Sequence, residues 1–208
     1  MGTITAQDII DKVQIELHDL NAVRWPEAEL LGWLNDWQKE LTTINPAASV
    51  KSVAVQMAAG TKQKAPADAV GVVTVVRNMG AGSTPGKAVR GISLAMLDAL
   101  IPGWHTETAS GTTDYYTAEP GNDKNFYVYP PHPASPTYLE LVYPCVPAEI
   151  AVIGDAITID DIYAPSGIDY VLSRALSKDA EYAGEDGRAM AHYKKFVAMA
   201  SVKESGSR

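Results

Sequence analysis

Apolar residues change their spacing twice along this chain, from a helical period to a strand-like one near residue 46 and back again near residue 164. A stretch with one period cannot bury its apolar face in the other conformation, so these two switch points constrain the fold before any motif does. In the first region Ile9, Val13, Leu17 and Leu20 share one helical face, after a Thr5 and Asp8 pair with capping-box spacing. A second stripe, Leu30, Leu34, Trp37, Leu41 and Ile44, opens at Pro26 and is stopped by Asn45 and Pro46. In the last region Ser166 and Asp169 repeat the capping spacing, and Ile168, Val171, Leu172, Ala175 and Tyr182 line a helix ending near Gly184. Ala189, Tyr193, Phe196 and Ala200 give a fourth helical face between about 186 and 202.

Between these helical ends the chain is rich in Val, Thr, Tyr, Gly and Pro, with short runs SVAVQM, AVGVVTVV, DYYTA, NFYVY and TYLELVY. The clusters AAGTKQ, EPGNDKN and PPHPASP read as turns between them, and SLAMLDALI at 93–101 reads as a short helix. A lone helix pair buries too little apolar surface, so the flanking pairs need each other. The expected class is α+β: a four-helix unit of two N-terminal and two C-terminal helices, with an inserted antiparallel β module resembling a sandwich or barrel. The expected division is 1–46 with 164–203 as the helical domain, 47–163 as the β domain, and 204–208 as a flexible tail.

Within NFYVYPPHPA at 125–134, Phe126 and Val128 alternate with Tyr127 and Tyr129, which places the first pair toward the β core and the tyrosines outward. Pro130, Pro131, Pro133 and Pro136 are expected to keep the following loop extended and out of any ladder. The segment then reads as a stiff hairpin with His132 at its apex, either a blunted edge or a docking tip.

The 208 residues carry a formal net charge of -8, which argues against a surface that grips phosphate backbones broadly. The charge is uneven: residues 1–45 hold 8 acids and 3 bases, whereas the stretch from Arg188 to the end holds 5 bases and Glu204 as its one acid. The single cysteine, Cys145, can make no internal disulfide and reads as a buried filler, which fits a reducing compartment. No apolar run reaches membrane-span length, and the N-terminus lacks the basic-then-apolar order of a signal peptide, so neither export by that route nor insertion is expected.

Catalytic and metal motifs fall short. GAGSTPGKA at 80–88 approaches a phosphate loop, but Ala81 and Ala88 stand where Gly and Ser or Thr are needed and Pro85 removes an N–H, so it reads as a flexible glycine-rich loop. His18, His105, His132 and His192 have no ligand-spaced partners, and Asp155, Asp160 and Asp161 lack the spacing of a calcium loop. The acids Asp179, Glu181, Glu185 and Asp186 read as a solvated helix face, with cation binding as the alternative. Trp33 and Trp37 read as core or interface aromatics, and no serine lies in a nucleophile elbow. No catalytic residue, cofactor site or metal site is therefore assigned.

Taken in order, RWPEAELLGWLNDWQKEL, VVRNMGAGSTPGKAVR, NFYVYPPHP, TYLELVYPCVPAEI and DYVLSRALSKDAEYAGEDGRAMAHYKKF resemble the head-to-tail adaptor, or connector, proteins of tailed bacteriophages over roughly residues 21–200. The resemblance implies a structural virion protein at the neck, made in the host cytoplasm. It further implies a homo-oligomeric ring, commonly a dodecamer, that joins portal to tail or nozzle protein and lines the DNA exit channel. DNA then passes through without specific binding, and no membrane is involved. On this reading Lys194, Lys195, Phe196, Lys203 and Arg208 are the expected portal-binding residues. Tyr129, Pro130, Pro131, His132 and Pro133 form the expected tail-docking hairpin. Two other classes stay open: a receptor- or carbohydrate-binding tail module using Tyr115, Tyr116, Tyr127 and Tyr129, and a metal-dependent hydrolase using the acids 179–186 with His192.

Overall fold

Thr5 starts the first helix as its spacing predicts. In the computed structural model, which describes residues 3–178 and 185–201, its hydroxyl accepts from the Asp8 backbone N–H while the Asp8 carboxylate accepts from the Thr5 N–H at 2.8 Å. Both ends of this capping box are made, so Thr5→Ala is expected to destabilise the helix by about 1 kcal/mol, read as a lower unfolding midpoint in urea. Among the described residues the mixed α+β chain carries five helices: α1 (Ala6–Glu16), α2 (Glu27–Ile44), α3 (Leu94–Leu100), α4 (Ala164–Lys178) and α5 (Glu185–Ala200). Its strands are β1 (Val50–Gln56), β2 (Gly60–Lys64), β3 (Thr74–Gly80), β4 (Thr84–Ala88), β5 (Arg90–Gly91), β6 (Tyr115–Glu119), β7 (Asn122–His132) and β8 (Tyr138–Pro144).

Contacts divide the chain into two units, Met1–Ser49 with Pro147–Arg208 and Val50–Val146. The first unit holds α1, α2, α4 and α5 around Ile9, Ile10, Leu30, Leu34, Trp37, Leu41, Val171 and Phe196. Residues 147–161 carry no strand and are tied to these helices instead. Ala6 and Gln7 donate backbone N–H to Asp155 and Ile153, and Ile157 donates to Ile4. The Asn35 side chain brackets Ile150 through both of its backbone groups, and the Gln38 carbonyl accepts from the Thr158 N–H at 2.9 Å. Ile150, Ile157 and Ile159 thereby join the helical core.

The spacing of Ser166 and Asp169 does not cap a helix here. The helix begins at Ala164, after a 3-10 turn at Asp161–Tyr163 whose first N–H groups are met by Asp160, and Pro165 takes its tolerated place in the first turn. Ser166 lies inside, its hydroxyl donating to the Tyr163 carbonyl at 2.7 Å and accepting from the Trp37 indole N–H at 3.0 Å. Tyr182 lies outside the described residues.

The second unit holds two four-stranded sheets, in the orders β1-β8-β3-β4 and β2-β7-β6-β5, with Val75, Leu139 and Leu141 of one and Phe126 and Val128 of the other in one core. The second sheet is mixed rather than antiparallel, because the two-residue β5 runs parallel to β6. Phe126 and Val128 point inward and Tyr127 and Tyr129 are half-buried, as alternation predicts. Two expected turns are strands. AAGTKQ supplies all but the last residue of β2, whose inward residues are Thr61 and Gln63, and the glycine-rich stretch forms β4 after a tight turn in which Ala81 and Gly82 take positive φ. The prolines also fail to end the ladder. β7 runs through Pro130 and Pro131 to His132, which pairs with Gly60, and the next β2 pair is Lys62 with Tyr127. The bulge between those pairs asks no N–H of either proline, while the Pro131 carbonyl accepts from the Ser110 N–H at 2.8 Å.

Candidate functional site

The helical unit contains a cleft of about 570 Å³ where α2, α4 and α5 converge, lined by Glu40, Tyr170, Ser173, Arg174, Ser177, Asp186, Ala189, Met190 and Tyr193. Leu41 and Phe196 are buried in the core, which turns Glu40 and Tyr193, on the same helices, toward the opening. The Glu40 carboxylate accepts from the Tyr193 hydroxyl at 2.7 Å and also from that of Tyr170, which is buried. Burial first and the Glu40 bond second push the Tyr170 hydroxyl far above its ordinary pKa. For Tyr193 the bond to Glu40 is the leading cause of a rise. Both phenols therefore stay protonated near neutral pH, serving as hydrogen-bond donors rather than as bases or nucleophiles.

The expected portal-binding residues separate. Lys194 and Lys195 are exposed on α5, with the Lys195 amine 4.0 Å from the Asp169 carboxylate. Phe196 is not a surface contact: it is fully buried, with the Tyr170 ring edge-on at 5.1 Å, because its helical position faces the core. Lys203 and Arg208 lie outside the described residues.

The hairpin residues also divide. Tyr129, Pro130 and Pro133 are half-buried, and the Tyr129 hydroxyl donates to Glu107 at 2.8 Å. Pro131 is buried, and His132 is no apex, being 2% exposed with Thr113 at 2.7 Å from its Nε2 and Thr137 bonded to its Nδ1. The exposed tip is Ala134–Pro136. A lone histidine in a proline run gives no sign that two threonines 19 residues upstream and 5 downstream will flank it.

Burial lowers the His132 pKa from 6.5, so the unfolded chain takes up that proton more readily than the folded one. Its contribution to stability is therefore full above about pH 6.5 and is lost as pH falls through the lower folded value. Glu119 acts later: bonds from Lys62 first, then Asn125 and Tyr127, hold its pKa down to about 2, so its contribution stays full above about 4.5 and is lost toward pH 2. Urea midpoints measured from pH 8 to 2.5 are expected to fall in two stages. His132→Asn should remove the upper stage and leave the lower one.

The described residues of the other two classes do not converge on a site. His192 binds Asp169 through Nδ1 at 2.7 Å, joining α4 to α5, and among the described residues no three potential metal ligands cluster. Asp179 and Glu181 lie outside the described residues. Tyr115 stacks on Tyr129 with centroids 6.3 Å apart, and the hydroxyls of Tyr116, Tyr127 and Tyr129 donate to Thr74, Glu119 and Glu107. This spends the hydroxyls of three of the four tyrosines within the chain. The near phosphate loop is likewise occupied, with the Lys87 amine on Asp114 at 2.6 Å in an ordinary hairpin.

A family model described as SU10 adaptor protein matches residues 4–208. No curated protein matches. Among the described residues no helix is long and apolar enough to cross a membrane.

Proposed function

The chain belongs to the SU10 adaptor protein family, and from that premise we propose that it is a structural protein of a tailed-phage virion that joins the portal to the tail or nozzle protein at the neck. The observation that carries this reading is the family match over residues 4–208, which takes in both units rather than one grafted segment. The protein works as a homo-oligomeric ring, most simply a dodecamer, and lines the channel through which DNA leaves. The net charge of -8 favours that arrangement, since an acidic lumen repels phosphate.

The two units suggest a division of labour. The unit formed by Met1–Ser49 with Pro147–Arg208 acts through its four helices to build the ring, and the inserted unit, Val50–Val146, acts as a sandwich-like module facing the tail. Lys194 and Lys195, exposed on α5, are the described members of a basic surface for the portal, which continues in the sequence with Lys203 and Arg208. The exposed tip Ala134–Pro136 replaces His132 as the tail-docking point. Mass photometry of the protein with portal tests the reading: discrete added masses are expected. Ending the chain after Ser201 removes Lys203 and Arg208 without touching Phe196 or Ala200, and should weaken binding with the melting temperature unchanged. Unaltered affinity would remove the basic end from the interface.

A further inference from the structure

We propose that two copies of this chain pair antiparallel through β1, so that the sheet β1-β8-β3-β4 of one continues into that of the other. The pairing stands apart from the adaptor reading, because a contact between identical surfaces closes at two copies and builds no ring. β1 ends its sheet and is hydrogen-bonded to β8 alone. Just beyond it the Met57 N–H donates to the Thr137 carbonyl at 2.9 Å, which continues the register of Gln56 with Tyr138. Antiparallel alternation then turns the N–H and C=O groups of Lys51, Val53 and Val55 toward β8, and those of Val50, Ser52, Ala54 and Gln56 toward the open side. Among the described residues no backbone hydrogen bond reaches that open side.

The other sheet ends are blunted. β4 carries Pro85, Gly86 and a register shift against β3, β2 carries Lys62 and Lys64 and bulges between Gly60 and Lys62, and β5 is two residues long. These devices keep strands from pairing edge to edge. β1 has seven residues, neither proline nor glycine, and one charge, Lys51, whose amine is held by Asp68 at 2.6 Å. Val53 marks what the strand lacks. It pairs with the fully buried Leu141 and so faces the core, as Val55 does, yet it is 39% exposed while Val55 is packed against the core. A further strand alongside β1 would cover it.

A second β1 is the occupant that fits, because the strand is complementary to itself. Directly opposite residues of an antiparallel pair share a face, so the two-fold axis must pass through a residue of the strand. Centred on Val53, the middle of β1, the axis pairs the whole of Val50–Gln56. Ser52 then exchanges hydrogen bonds with Ala54 of the second copy, and Val50 with its Gln56, through the groups already turned to the open side. The two Val53 side chains meet in a close pair that makes no hydrogen bonds, and each covers the other. Lys51 stands opposite Val55 of the second copy, so no like charges face each other. The blunted edges of a second copy offer no such match.

The test uses the full chain, first alone and then with portal. Sedimentation equilibrium of the chain alone is expected to show monomers and dimers in exchange. Ala54→Pro removes an N–H that β8 does not use, at an edge position that tolerates proline, and should weaken the dimer by roughly tenfold or more with the urea midpoint of the monomer unchanged. Val53→Cys, oxidised and run on a non-reducing gel, should give a disulfide-linked dimer, since a pair without hydrogen bonds brings the two side chains within bonding reach. Gln56→Cys should not, because its counterpart lies at the other end of the ladder. Cys145 is buried and stays out of the reaction. A chain that stays monomeric at its highest soluble concentration overturns the proposal. Equal cross-linking of Val53→Cys and Gln56→Cys overturns it, and so does a dimer that folded Ala54→Pro leaves intact. Where Ala54→Pro fails to fold, the two cysteine variants decide alone. Val53→Cys that couples to portal and never to itself makes a portal strand the occupant and overturns it too. A β1 dimer from a protein that does not bind portal keeps this pairing and removes the adaptor reading.

Discussion

Trp37→Ala is expected to destabilise the helical unit by about 3–5 kcal/mol, and the reason lies in how its ring is seated. Trp37 is fully buried, its indole N–H donates to Ser166, and its ring lies over Gly167, where an added Cβ would stand 3.1 Å from three ring atoms. Glycine is what allows α4 to approach this closely, so truncating the ring leaves a large void and a hydroxyl without its donor. The measurement is a thermal or urea unfolding curve against Trp33→Ala. Trp33 is half-buried and tilted against Trp25 at 5.9 Å, so its loss should cost distinctly less. Gly167→Ala gives a sign test: helix propensity alone favours alanine by about 1 kcal/mol, yet the contact with Trp37 should make it net destabilising. Equal effects for Trp37→Ala and Trp33→Ala would show that the unit is not organised on this ring.

Asn78→Ala is expected to weaken the sheet-bearing unit by at least about 2 kcal/mol. The Asn78 amide donates to the Lys87 carbonyl at 2.9 Å and the Thr113 carbonyl at 2.8 Å, and its oxygen accepts from the Thr113 N–H at 2.7 Å. Thr113 is fully buried, so after truncation water cannot replace those partners. The Thr113 hydroxyl also holds His132, whose other nitrogen holds Thr137, so one polar chain links β3, the segment before β6, the end of β7 and the approach to β8. A half-satisfied buried network is worse than an apolar one, which is why the loss should exceed that of a single surface bond. Urea unfolding with hydrogen exchange at the Thr113 amide measures it, and a loss below about 0.5 kcal/mol, the range of an ordinary surface change, would contradict the network's role.

The residues that were legible from sequence are those whose neighbours in the fold are also neighbours in the chain. The Thr5 and Asp8 box, the stripe Leu30, Leu34, Trp37, Leu41, and the alternation of Phe126 and Val128 each follow from local spacing. Where inward positions are polar, the pattern vanishes: β2 buries Thr61 and Gln63, and Gln63 is satisfied by Ala58 and Gly60 rather than by anything its spacing announces. Ser166 resembled a cap because serine accepts as readily from an indole as from a backbone N–H. The proline run looked unable to pair because a bulge opposite it leaves no trace in its own residues. The cleft was invisible for another reason: Glu40 and Tyr193 stand 153 residues apart, and only the packing of α2 against α5 unites them. Docking surfaces suffer most, since a basic residue such as Lys194 and a core residue such as Phe196 sit two positions apart on one helix and only burial tells them apart.

Negative-stain imaging of the purified protein mixed with portal is the most direct test of the proposed ring-forming structural adaptor at the portal vertex. The expected result is an additional coaxial ring on one end of the portal particle, with the ring reduced or absent when the chain ends after Ser201. Portal particles that remain bare at saturating protein, with the protein monodisperse and folded alongside them, would contradict the claim.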